Sequence, residues 1–280
     1  MILRQSTLKK WQECPLKVRF EHIDKLRRLQ SGSLTFGSII HHCVQWMEEH
    51  RDLDGALELF NYLWYHPTAL DDPTQTYAID YYVKGTNWIK FMEEGKRILT
   101  EWWHIFEWDS DLVLAREYEF DVPIGDGHTL HGTIDKLKVV YRADIDQWVL
   151  RIDDYKTNKK RPTYDYLAED LQFTAYGYAT LQPEFWANLP GGRGMELMAQ
   201  FADYPRYGQW IALTGPMQLE AGPREERHYN RLIMACNAMA ESIAMRIFVP
   251  NISGEACRYC EFRKQCGLPE LIEPEDWWAA

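Results

Sequence analysis

The spacing of apolar positions changes character twice along this chain. Across residues 6–29, Leu8, Trp11, Leu16, Phe20 and Ile23 recur at helical spacing and predict one buried face. Gly32 interrupts, and residues 36–50 predict a second helix carrying His41 and His42. Amphipathic patterns over 54–65 and 77–106 predict further helices, the later one rich in Trp and Tyr, with Pro67 and Pro73 between them. From residue 112 the period shortens to two. Residues 112–122, 130–141 and 148–156 alternate and carry β-branched side chains, which predicts three antiparallel strands with tight turns at Gly125-Asp126-Gly127 and near Asp144. A helix over 167–181, two strands over 196–204 and 208–213, and a long helix over 224–248 complete the pattern. Helices, a meander, a helix and more strands predict a single α/β or α+β domain over 1–280, with a helical insertion at about 51–108.

Composition narrows the class. With 280 residues, 46% hydrophobic, 14% aromatic and 12 Trp, the chain can bury a large core and is not a disordered sequence. It has no apolar run long enough to span a bilayer, and its first residues lack the apolar core of a secretory signal, so a cytoplasmic protein without membrane contact is expected. A net charge of −11 excludes gripping nucleic acid through a generally basic surface and leaves only a local track. Lys156, Lys159, Lys160 and Arg161 form one such candidate, a solvated loop being the equal alternative.

The densest chemistry lies in Ile152-Asp153-Asp154-Tyr155-Lys156-Thr157. On a strand, Trp148, Leu150, Ile152, Asp154 and Lys156 share one face, and Asp153 and Tyr155 share the other. A carboxylate and an ammonium therefore sit side by side at the end of an apolar run. Asp135 ends a similar run on the preceding strand. Two acids converging beside a lysine suit metal-assisted attack on a phosphodiester, because Mg²⁺ and Mn²⁺ take hard oxygen ligands and leave places for water and phosphate. A lone Asp-x-Lys is more commonly a salt bridge at a strand end, so the reading needs support from elsewhere in the chain.

The cysteines supply some of it. Cys257, Cys260 and Cys266 have C-x2-C spacing followed by a third thiol, and Cys14, far away in Trp11-Gln12-Glu13-Cys14-Pro15, can complete a set of four. Spacing alone admits zinc or a [4Fe–4S] cluster equally, and also no metal. Cys43 and Cys236 fall in helical patterns and read as small buried apolar residues.

Taken in order, Gly37-Ser-Ile-Ile-His41, Gly132-Thr-Ile-Asp135, Asp153-Asp154-Tyr155-Lys156-Thr157, Gln172-x3-Tyr176 and the cysteine set resemble the PD-(D/E)XK nuclease superfamily. The closer resemblance is to its RecB-like branch, which includes the CRISPR-associated exonucleases. The resemblance implies a restriction-endonuclease-like core, a mixed central sheet flanked by helices, closed by an iron–sulfur staple between the chain ends. It implies that His41, Asp135, Asp154 and the Tyr155 carbonyl hold Mg²⁺ or Mn²⁺. Lys156 would position water or stabilise charge, Gln172 and Tyr176 would flank the site, and Glu117 would serve as an accessory acid. Cys14, Cys257, Cys260 and Cys266 would bind [4Fe–4S] in preference to zinc. The implied activity is metal-dependent exonucleolytic cleavage of DNA, single-stranded or at ends, with a helicase or recombinase as possible partner.

Three positions depart from the motif or compete with it. His42 directly follows His41, Gln45 stands where an acid is frequent, and His131 shares a face with Asp135 but reads better as structural. The alternatives are a DNA-end-binding module without catalysis and a zinc-stapled protein with no nucleic-acid role. Trp88, Trp102, Trp103 and Trp108 are candidates for stacking on bases, although Trp at helical spacing is usually core.

Overall fold

A computed structural model of the chain describes residues 1–26, 32–66, 88–105, 112–157, 160–215, 217–251, 257 and 260–267. In chain order these form β1 (Ile2–Arg4), α1 (Gln5–Glu13), α2 (Pro15–Val18), a π-helical turn (Arg19–Ile23), α3 (Gly32–His50), α4 (Leu53–Tyr65) and α5 (Trp88–Ile105). There follow β2 (Leu112–Ile124), β3 (His128–Arg142), β4 (Gln147–Lys156), α6 (Tyr164–Ala168), α7 (Leu171–Ala179), α8 (Pro183–Ala187) and α9 (Gly194–Phe201). The last are β5 (Arg206–Ala212), β6 (Met217–Pro223) and α10 (Glu226–Ala244).

One mixed sheet organises the molecule. The long strand β3 carries β2 antiparallel along one edge, and its other edge is shared. There β1 pairs parallel with its first part (Ile2↔Thr129 to Arg4↔His131), and β4 pairs antiparallel with its second (Lys136↔Asp153 to Arg142↔Gln147). β5 continues parallel to β4, and β6 closes the order antiparallel to β5. A parallel neighbour demands a long crossover, which α6 to α9 supply.

Alternation along β4 and β5 sorts the core into two layers. Leu150, Ile152, Trp210 and Ala212 pack with Phe173 and Ala175 of α7 and Leu232 and Met239 of α10. Tyr155 and Ile211, with Leu213 just beyond β5, pack with Ile40 and Val44 of α3, Phe60 of α4 and Leu99 and Trp102 of α5. The region expected as a helical insertion thus contributes α4 and α5 to the second layer; residues 67–87 and 106–108 lie outside the described residues.

Four local expectations need correction. Residues 196–204 are not a strand: α9 runs Gly194–Phe201. Glu196, Leu197, Met198 and Ala199 are strong helix formers, the Arg193–Glu196 pair at 3.0 Å supports the first turn, and Leu197 and Phe201 bury at a spacing of four. The helix expected over 6–29 breaks at Cys14, which is extended (φ −165, ψ 107) before Pro15. The proline ring clashes with a helical conformation at the residue before it. The helix expected over 167–181 divides into α6 and α7, because the Asp170 side chain accepts from the Gln172 and Phe173 N–H groups and starts a new helix. Strands β1 and β6 were not expected. β1 is too short to show a period, although Leu219 and Ala221 of β6 do alternate inward.

Candidate active site

The predicted site residues fall into two adjoining groups. In the first, His41 of α3, Glu117 of β2 and Asp135 of β3 each direct one ligand atom to a common point, these atoms all lying within 4.8 Å of one another. His41 Nδ1 is 3.6 Å from Asp135 Oδ2 and 3.8 Å from Glu117 Oε1. In the second, Lys156 Nζ donates to Asp154 Oδ1 at 2.8 Å, and Gln172 Nε2 donates to the same oxygen at 2.8 Å and to the Tyr176 hydroxyl at 2.8 Å. The groups are joined through the backbone: the Tyr155 N–H donates to Asp135 Oδ2 at 2.6 Å.

The local causes are legible. Gly37 begins the turn of α3 that carries His41 because a Cβ there would stand 3.3 Å from Thr157 Oγ1, so helix and strand end approach closely. Gly132 leaves room for the ring of Phe120, which a Cβ would meet at 2.7 Å, and which in turn packs edge-on against Tyr176 at 6.0 Å. Glu117 has a positive φ of 41, which is unusual for a side chain with a Cβ. Left-handed backbone in a strand costs on the order of 1 kcal/mol and is found where a side chain must be re-aimed. Here it carries Glu117 to Asp135 and His41.

Charge is concentrated here. Burial lowers the affinity of His41 for a proton, but Asp135 and Glu117 outweigh it and raise the imidazole to about 9. Burial and the Asp135 charge push Glu117 up to about 8 against the opposing pull of His41. Burial raises Asp154 to about 6, with Asp135 adding to the rise and Lys156 resisting it. Asp135, although buried, is held below the ordinary carboxylate range by His41, Lys156 and the Tyr155 N–H. Three acids thus share a confined site with one imidazole and one ammonium. One imidazole and hard carboxylate oxygens form a donor set suited to Mg²⁺ or Mn²⁺.

The geometry regroups the predicted residues. Glu117, expected only as accessory, stands with His41 and Asp135. Asp154 instead turns its carboxylate to Lys156 and Gln172. Its burial on the α7 side and that of Tyr155 on the α3 side follow the expected alternation. His131 is held apart by Asp121 at 3.0 Å and Glu119 at 3.2 Å, as a structural histidine would be. His42 is exposed. Trp102 is buried against Tyr155, with ring centroids at 5.4 Å, and offers no face for stacking. Trp88 and Trp103 are half-buried, and Trp108, Asn158 and Lys159 lie outside the described residues.

Behind the site lies a network that sequence reasoning missed. The Glu48 carboxylate, buried on α3, accepts from Lys136 Nζ at 2.7 Å, Arg116 Nε at 3.2 Å and the Tyr155 hydroxyl at 2.8 Å. Lys136 is only 2% exposed, and burial holds its ammonium below the ordinary lysine range despite Glu48. The seven-residue spacing from His41 to Glu48, two helical turns, was the available signal.

The chain ends meet elsewhere. Cys14, Cys257, Cys260 and Cys266 line one pocket with Asn251, Phe20 and Phe262. The Asn251 N–H donates to Cys14 Sγ at 3.4 Å, its side-chain amide donates to the Glu13 carbonyl at 2.7 Å, and the Cys257 thiol donates to the Asn251 carbonyl at 3.3 Å. Phe20 packs against Phe262 at 5.6 Å, and Lys17 pairs with Glu261 at 3.3 Å. Cys43 and Cys236 are fully buried among apolar side chains, as expected.

A mixed sheet flanked by helices, with acids and a lysine gathered at the end of one strand, fits the restriction-endonuclease-like fold. The chain belongs to the PD-(D/E)XK nuclease superfamily, whose family model matches residues 3–267. Membership implies a metal-dependent nuclease acting on DNA, and enzymes of this superfamily typically use Mg²⁺ or Mn²⁺. The chain is also similar to the crystal structure of SSO0001 at 13% identity, covering 93% of each chain with a TM-score of 0.30, a likeness too distant to bear on activity. No curated protein is significantly similar to it. Among the described residues no helix is long and apolar enough to cross a membrane.

Proposed function

We propose that this protein is a Mg²⁺- or Mn²⁺-dependent DNA exonuclease of the RecB-like branch, with a structural [4Fe–4S] cluster joining its chain ends. The observation that carries the catalytic part is the convergence of His41, Glu117 and Asp135 beside the Lys156–Asp154 pair. His41, Asp135 and Glu117 would hold the cation, with Asp154 and the Tyr155 carbonyl completing its surroundings. When bound, a divalent cation supplies Lewis-acid polarisation of the scissile phosphate and acidifies water. Lys156 would place its ammonium against the phosphate oxygens as charge builds there, oriented by Asp154. Gln172 and Tyr176 keep Asp154 in place from the α7 side.

Cys14, Cys257, Cys260 and Cys266 line one pocket, and four thiolates there could hold either a [4Fe–4S] cluster or zinc. The resemblance to the RecB-like branch favours the cluster.

The test is degradation of end-labelled single-stranded DNA by anaerobically prepared protein, with Mg²⁺, Mn²⁺ or EDTA. Cleavage should require the cation. Asp154→Asn and Lys156→Met should each lower the rate by about 10²–10³-fold while leaving the fold intact. Wild-type rates in either variant would remove these residues from catalysis.

A further inference from the structure

Three hydrogen-bond partners of Glu48 are each the chain neighbour of a site acid. Arg116 precedes Glu117 on β2, Lys136 follows Asp135 on β3, and Tyr155 follows Asp154 on β4. Glu48 itself lies two turns beyond His41 on α3. On β3 and β4 successive residues point to opposite faces, so gripping Lys136 or Tyr155 presents the neighbouring acid on the other face, while on β2 the left-handed backbone of Glu117 sets its direction. One buried carboxylate on α3 thereby reaches the three strands that carry Glu117, Asp135 and Asp154.

We infer that Glu48 is a positioning residue, a clamp that sets the distances among His41, Glu117, Asp135 and Asp154 from the α3 side of the sheet. The inference rests on the proposed metal-dependent reading of that site. Three properties support it beyond simple core stability. The carboxylate accepts from three donors on three different strands at 2.7–3.2 Å, so it constrains their relative placement and not one strand alone. Tyr155 is gripped at both ends, by Glu48 at its hydroxyl and by Asp135 at its N–H, which makes the residue a strut between the clamp and the site. Its ring also lies against His41 at 6.2 Å and Trp102 at 5.4 Å, which restricts sideways movement. An apolar side chain at position 48 would fill the space equally well and hold none of these registers.

The experiment compares wild type, Glu48→Gln and Tyr155→Phe by three readouts: melting temperature, Mn²⁺ affinity by calorimetry, and the amide resonance of residue 155. Tyr155→Phe removes a single hydroxyl and keeps Glu48 paired to Lys136 and Arg116, so it serves even if Glu48→Gln does not fold. The expected result is an Mn²⁺ affinity weakened about tenfold or more in each folded variant. The amide of residue 155, downfield in wild type because of its short bond to Asp135, should move upfield in both. Cleavage at saturating DNA should fall with it while the KM for DNA stays constant. Wild-type Mn²⁺ affinity and an unmoved residue 155 amide in folded Tyr155→Phe would overturn the clamp. Should wild type bind no Mn²⁺, the proposed metal site fails, and the amide readout alone still judges whether Glu48 acts through Tyr155.

Discussion

At the scale of single residues, the site gathers groups that folding makes hold their protons more tightly. His41, Glu117 and Asp154 each hold a proton more tightly folded than unfolded. Their stabilising contribution is therefore complete below the unfolded value and is lost as pH rises through the folded one. The windows run from 6.5 to about 9 for His41, from 4.5 to about 8 for Glu117 and from 3.8 to about 6 for Asp154. Asp135, held low, acts in the opposite sense but only at acid pH. The melting temperature of metal-free protein should accordingly fall between pH 5 and pH 9. Saturating Mn²⁺ should flatten the decline, because the cation takes the place of the protons. Glu117→Gln should remove the part of the decline that ends near pH 8. A melting temperature indifferent to pH across this range would mean that these groups do not titrate with folding.

Much at this scale was readable in advance. Asp135, Asp154 and Lys156 stand out because each ends or follows an apolar run. The role of Glu117 was harder to read, since its orientation depends on a left-handed residue inside a strand, which alternation does not announce. Glu48 gave still less signal. A glutamate on the inner face of an amphipathic helix looks like a flaw in the pattern until its three partners are in place.

At the scale of elements, close approaches govern the α3–α5 layer. Gly95 of α5 lies so near Phe60 of α4 that a Cβ would stand 2.1 Å from the ring. Phe60 is fully buried, and its ring is flanked by Phe36 at 6.4 Å and Trp64 at 6.1 Å, so it has nowhere to retreat. Gly95→Ala should therefore destabilise the protein by about 1–3 kcal/mol, measured by urea denaturation, despite the better helix propensity of alanine. An unchanged or raised midpoint would show that the two helices can separate freely. Periodicity predicted these helices well because each is long and amphipathic. It failed over 196–204, where a short apolar run fits either period and helix-forming side chains prevailed.

For the molecule as a whole, the joined ends are the distinguishing feature. Cys14 leaves the helical path at Cys14-Pro15 and meets the C-terminal thiols across Asn251. Cys260→Ala should bleach the visible absorption of anaerobic protein and lower its melting temperature by several degrees, each kcal/mol corresponding to about 2–4 °C at roughly this size. A colourless wild type carrying one zinc would replace the cluster with the ion. A fully metallated, equally stable Cys260→Ala would dismiss the staple altogether.

What could be known from the chain alone was whatever depends on neighbours in sequence: helix and strand periods, the face each side chain takes on its own element, and the order of the motifs. Leu150, Ile152 and Asp154 face one layer and Tyr155 the other because successive strand residues must oppose. Which side chains meet across elements is a different matter. The association of Glu117 with His41, the turning of Asp154 towards Lys156 and Gln172, and the grip of Glu48 on three strands all depend on strand register and on where α3 and α7 rest on the sheet. Those placements arise from closing long loops over a shared core, a long-range property that no local pattern contains.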